Sequence, residues 1–216
     1  MSSKLRTAMQ LVGHDVKGGR PMGDLYTTPA GATLALLEKE DFQPREVWEV
    51  AVGLGHVSWV LEHSGHHTTS TDVIDRGYPN TQILNFLDAQ ELLAPNIISN
   101  PPFELCTEFI LKAHRLGAEK FAYFLKVTAL EGTERSKVLE HTGLTRVLVF
   151  RNRVQTPRNN SPDRGTGMMA FAWFVWERGY KGKPQIDWLR YEKADSKWNP
   201  PGDVPVDGDQ LQFELY

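Results

Sequence analysis

Residues 46–72 read EVWEVAVGLGHVSWVLEHSGHHTTSTD. The opening stretch, Glu46 to Ala51, gathers β-branched and aromatic residues and predicts a strand. Gly53-Leu54-Gly55 interrupts it, after which Val57, Val60 and Leu61 recur at helical spacing until Gly65. HTTSTD, at 67–72, is β-branched again and ends in an acid. Strand, glycine turn, helix and strand make a βαβ unit, which lays its two strands parallel in one sheet.

The same alternation continues on both sides. Upstream, Thr28 and Pro29 suit the N-cap and first position of a helix running through ATLALLEK. Downstream, residues 83–87 predict a weak strand or turn and NIIS at 96–99 a short buried strand. Residues 103–116 predict a helix stopped by Gly117. A strand at 120–127, a helix at 134–141 and strands at 145–151 and 168–177 follow. The last two are joined by a polar loop without a helix, so they are expected to pair antiparallel. The sum is an α/β fold, a mostly parallel sheet with helices on both faces and an antiparallel strand near one edge. Residues 1–23 read as a flexible lead-in and 24–180 as the main folded domain. Residues 181–216 read as an irregular tail with one strand near Gln185–Tyr191.

Composition agrees and excludes several classes. At 216 residues the chain is long enough for one domain with a self-sufficient core. It has 40% hydrophobic and 24% charged residues, which is ordinary for a globular protein and wrong for a disordered one. No membrane span or signal peptide is legible, so a soluble, cytoplasmic protein is expected. One cysteine, Cys106, precludes a disulfide framework and a cysteine-built zinc site, and no metal is expected. A net charge of −3 argues against a non-specific polyanion coat but leaves room for a local basic groove.

Ligands of such a sheet lie at the carboxyl ends of its strands. There Gly53 and Gly55 allow positive φ and close approach to backbone, although a tight βα turn that binds nothing has the same need. Asp72 ends the second strand, where a carboxylate suits vicinal hydroxyls of a ribose. Glu49 beside the turn suits a cation better than a pyrophosphate. A dinucleotide site expects a third glycine where the chain has Ser58.

The most informative stretch is Asn100-Pro101-Pro102-Phe103, directly after the strand at 96–99. Asn100 and Pro101 each precede a proline and are therefore held extended. The stiff corner can aim the Asn100 side-chain carbonyl and the Pro101 backbone carbonyl at one amino group, and Phe103 offers a flat face to a planar base. Asn199-Pro200-Pro201 repeats the tripeptide, but glycine follows it and no apolar strand precedes it, so it reads as a turn.

Together these parts resemble the class I S-adenosylmethionine-dependent methyltransferases, specifically the small phage- and prophage-type N6-adenine DNA methyltransferases, over residues 26–180. The resemblance implies a Rossmann-like, seven-stranded sheet, S-adenosylmethionine as cofactor and DNA as partner. Tyr26, Thr27, Thr28 and Pro29 are similar to the family's motif beside the methionine end of the cofactor. Glu49, Ala51, Gly53 and Gly55 match its glycine turn, and Asp72 matches its ribose acid. Asn100, Pro101, Pro102 and Phe103 match its catalytic tetrapeptide, with Asn100 bordering the cofactor as well. Residues 171–182 are also similar in text.

Three departures stand out. Leu54 lies between the glycines, where its side chain is expected to point away. Asn85 and Phe86 align with a motif that usually begins with an acid directed at the cofactor adenine, and Asp88 is the alternative to Asn85 for that role. No sizeable target-recognition domain is expected after the core, so sequence specificity is expected to be short, loose or supplied by a partner. The same tetrapeptide serves methyltransferases of RNA bases and protein glutamine amides, and a non-catalytic nucleic-acid-binding module on this fold is a third reading. Residues 145–165 hold Arg146, Arg151, Arg153, Arg158 and Arg164 against Asp163, and the last four arginines are candidate phosphate contacts on a polar loop. His56, His63, His66 and His67 read as a solvated helix end.

Overall fold

The computed structural model describes residues 27–154, 156 and 169–200. The expected lead-in at 1–23 lies outside them. The strands are β1 (Glu46–Glu49), β2 (His67–Asp72), β3 (Gln82–Ile83), β4 (Asn96–Ser99), β5 (Lys120–Lys126), β6 (Leu144–Phe150), β7 (Phe171–Glu177) and β8 (Gln185–Leu189). The helices are α1 (Ala30–Lys39), α2 (His56–His63), α3 (Cys106–Leu116) and α4 (Thr133–His141). None is long and apolar enough to cross a membrane.

All eight strands form one sheet in the order β3-β2-β1-β4-β5-β7-β6-β8. β1 pairs parallel with β2 and β4, as the βαβ pattern requires. β7 is antiparallel to both β5 and β6 and lies between them. The count of seven is corrected to eight, because β8, anticipated within an irregular tail, joins the sheet parallel to β6. Lys39 of α1 meets Asp187 of β8 at 2.6 Å.

Side-chain alternation divides the core into two layers. Val47, Ile98, Phe124, Leu148 and Trp173 lie under α1 and α2 with Ala32, Leu36, Val57 and Leu61. Trp48, Ile97, Tyr123, Val147 and Trp176 face α3 and α4 with Phe109, Ile110 and Leu139. Strands covered on both faces need continuous apolar sequence, hence FAWFVW in β7. Tryptophan nitrogens buried this way find partners: Trp173 donates to the Ala32 carbonyl at 2.8 Å and Trp48 to Thr71 Oγ1 at 2.9 Å.

Two element starts differ from expectation. Pro29, not Thr28, is the N-cap of α1, and no side chain caps it. Residues Phe103–Leu105 form a short 3-10 turn, and the α-helix begins at Cys106, since the extended conformation imposed by the two prolines must first be turned. At the amino end of the sheet, Glu40 is buried between Lys120 at 2.7 Å and Arg146, which also pairs with Glu177. This ionic knot ties the end of α1 to β5, β6 and β7, away from the carboxyl ends where ligands are expected.

Candidate active site

A pocket opens at the carboxyl ends of β1 and β4, beside the starts of α1 and α2. Three separate stretches line it: Thr27 and Thr28; Glu49, Ala51, Val52, Gly53, Leu54, His56 and Val57; and Asn100. The space between them is about 290 Å3 including its open mouth. Five expected cofactor-side residues and the first residue of the diproline corner therefore share one cavity. Leu54, expected to point away, is part of the lining.

The glycine turn is held by Asp72. Gly53 has φ 57° and its N–H donates to Asp72 Oδ2 at 2.9 Å, while the Ile74 N–H donates to Oδ1 at 3.2 Å. Each carboxylate oxygen keeps lone-pair capacity for a ligand hydroxyl. Gly55, at φ 86°, is required for a reason the sequence did not reveal: a Cβ there would lie 1.8 Å from Tyr78 Cδ2. The close approach at this glycine is made by a ring of the protein itself. Tyr78 is buried and hydrogen-bonded to Glu62, and burial foremost, with Glu62 adding, pushes its phenol above the ordinary range.

Glu49 is 1% exposed and accepts from Ser58 Oγ, which also meets Ser70 Oγ at 2.7 Å. Burial holds its carboxyl well above the usual range, Ser58 opposes this, and nearby Asp72 and Glu62 reinforce it. A cation entering the pocket would oppose that shift and favour the carboxylate. The Thr27 and Thr28 hydroxyls are buried without a hydrogen-bond partner. Such orphan groups cost free energy, and a carboxylate ligand would satisfy them as acceptor. Donors for a carboxylate, an acid for an ammonium and a carboxylate at the glycine turn fit the amino acid and ribose of the expected cofactor.

At the corner, Asn100 and Phe103 are half-buried and Pro101 is buried. The Phe103 ring lies 5.9 Å from that of Phe171, and Lys126 Nζ stands 4.6 Å from its centroid. Asn85 is committed locally: Oδ1 accepts from the Leu87 N–H and Nδ2 donates to Asp88 Oδ2, both at 3.1 Å. Aspartate at 85 lacks the donor for that second bond. Phe86, expected beside the cofactor, has its ring in the core, 1% exposed and 5.2 Å from Trp48. Its side chain is therefore a packing group, because a ring so enclosed presents no face to a ligand.

Arg151 and Arg153 are exposed just beyond the carboxyl end of β6. Tyr26, Arg158 and Arg164 lie outside the described residues. His56, read as part of a solvated helix end, is 5% exposed and lines the pocket. Its place immediately after the glycine turn was the available signal. Asn199 and Pro200 of the second tripeptide follow a 3-10 turn at Ser196–Trp198, and Trp59 Nε1 donates to the nearby Lys197 carbonyl at 3.0 Å.

No family model and no curated protein matches the sequence. Solved structures do match the fold. A candidate RNA methyltransferase from Pyrococcus horikoshii aligns with TM-score 0.54 and 16% identity over 82% of this chain and 98% of its own. A type I restriction-modification methyltransferase subunit from Streptococcus thermophilus gives 0.53 and 12%, over 72% of this chain and 45% of its own. The modification subunit of a candidate type I restriction enzyme from Vibrio vulnificus gives 0.51 and 13%, over 91% and 52%. The chain thus spans about half the length of those two subunits, and it shares with all three the Rossmann-like α/β fold of methyltransferases.

Proposed function

We propose that this chain is an S-adenosylmethionine-dependent methyltransferase that acts on the exocyclic N6 amine of adenine in DNA. The observation that carries the reading is that Asn100 opens onto the same pocket as Thr27, Thr28, Glu49 and Gly53. An amine-binding corner and a cofactor-binding wall in one cavity are what group transfer to nitrogen needs.

The cofactor, when bound, supplies an electrophilic methyl group on a sulfonium. The protein's own residues do the rest. Thr27 and Thr28 would donate to the carboxylate at the amino acid end, Glu49 would meet the cationic end as a carboxylate, and Asp72 would accept from the ribose. Asn100 Oδ1 and the Pro101 carbonyl accept the two hydrogens of the target amine, which turns its lone pair outward and stabilises the positive charge that develops there. Phe103 offers a face to the base once it has left its stack. Arg151 and Arg153, with Arg158 and Arg164, hold backbone phosphates. Asp88, whose carboxylate Asn85 binds, is available for the cofactor adenine amine.

Asn100→Ala tests the reading. Methyl transfer from labelled cofactor to DNA falls by at least about a thousandfold, near the upper range for removal of one preorganised polar group, while calorimetric cofactor affinity stays within about threefold. Wild-type turnover in Asn100→Ala refutes the mechanism. An RNA base is the second reading, favoured by the likeness that covers nearly the whole Pyrococcus protein. Mass analysis of DNA, RNA and glutamine peptides incubated with the enzyme separates the substrates.

A further inference from the structure

Lys126 ends β5 beside the diproline corner. Ser99 of β4 pairs with Tyr123 of β5, so the last residues of β5 run alongside Asn100–Phe103. Strand alternation then fixes the face. Phe124 belongs to the layer under α1 and α2, and Lys126 is the next residue on that side, paired with Phe171 of the same layer. The cofactor pocket is built from the starts of those two helices. The ammonium of half-buried Lys126 therefore stands on the pocket's side of the sheet, over the Phe103 ring at 4.6 Å from its centroid.

Resting on the functional reading above, we propose that Lys126 is the anion-binding residue of the acceptor site and contacts a phosphate of the nucleotide whose base is presented to Asn100. A base that stacks on the face Lys126 covers must displace the ammonium, and the long flexible stem lets it swing aside without moving β5. A nucleotide brings the phosphate that receives it. A glutamine amide would bring neither ring nor anion. The pairing of a removable cation with an aromatic face thus favours a nucleic acid over a protein substrate.

Lys126→Met and Lys126→Arg test this on the full chain. The substrate is DNA from cells without adenine methylation, with adenosine as a phosphate-free acceptor. In Lys126→Met the KM for DNA rises about tenfold or more and kcat changes less. The log–log salt dependence of DNA binding becomes shallower by about 0.9, the share of one neutralised phosphate. Lys126→Arg restores most of the KM. Cofactor affinity by calorimetry stays at its wild-type value in both, and in Lys126→Met the rate with adenosine does not fall, which separates the effect from misfolding or from a disturbed Phe103. An unchanged KM and salt slope in Lys126→Met overturns the assignment while the wild type still methylates DNA. Equal losses with DNA and adenosine overturn it too, leaving Lys126 a support for the ring. Methylation of a glutamine peptide and not of nucleic acid by the wild type overturns the function and this assignment together.

Discussion

Replacing Glu49 with glutamine removes one titratable proton from the pocket wall, and cofactor binding should register the loss. The carboxyl is 1% exposed and burial holds it well above its ordinary value of 4.5, which favours its protonated form in the ligand-free site. An ammonium or sulfonium beside it favours the carboxylate and lowers that value. Binding then expels a proton. Between the lowered and the raised value, affinity climbs up to tenfold per pH unit, because each unit of pKa displacement is a tenfold change in the binding constant. Glutamine preserves the volume but cannot ionise. Glu49→Gln should therefore bind S-adenosylmethionine about ten- to a hundredfold more weakly near pH 8, with a flatter pH profile. Titration calorimetry in buffers of different ionisation enthalpy counts the protons, about one more released by the wild type than by the variant. Equal counts refute the reasoning. The ligand-free protein gives an independent check. A carboxyl raised on folding contributes stability below its unfolded value, and that contribution is lost as pH rises toward the folded value. Glu49→Gln should accordingly melt above the wild type near pH 8 and converge with it toward pH 4.5.

Gly55→Ala drives a Cβ to 1.8 Å from the Tyr78 ring at a positive φ, and should cost about 2–4 kcal/mol in urea unfolding. Adding Tyr78→Ala should recover the steric share and leave the backbone share. Glu40→Gln removes the anion shared by Lys120 and Arg146 and should cost about 1–3 kcal/mol by the same assay. That figure sits below the loss for a fully buried pair because both cations are partly exposed. Replacing Arg151 and Arg153 with alanine should weaken DNA binding across sequences and lower the log–log salt slope by about 0.9 for each phosphate that is no longer neutralised, measured by fluorescence anisotropy.

What could be read from the chain was whatever local chemistry determines. The diproline corner was legible because proline restricts its neighbour within one peptide unit, and the βαβ unit because its periodicities change at two glycines. Pairing was less accessible. No local pattern distinguishes a β7 that slots between β5 and β6 from one at the margin, nor says that a short strand after residue 184 joins the sheet. The differences at single residues share a cause. Thr28 before a proline reads as a helix cap, but it lines the pocket and its hydroxyl is buried without a partner. Phe86 follows a polar residue in a loop-like stretch and yet packs on Trp48, far from it in the chain. Gly55 reads as room for a ligand, whereas the neighbour that needs the room is Tyr78, brought back by the loop after β2. His56 groups with its sequence neighbours, while the turn sets it inward.

Because β7 runs against its neighbours, its first residue rather than its last arrives at the rim where the pocket opens. Phe171 pairs there with Lys126, and the Ala170 carbonyl accepts from the Val127 N–H at 2.8 Å. The connection from β6 therefore departs and returns at one end of the molecule, so it can lengthen, shorten or change charge without shifting any strand's register. If the proposed activity holds, substitutions between β6 and β7 can retune which acceptor is met while the strands that line the pocket keep their places.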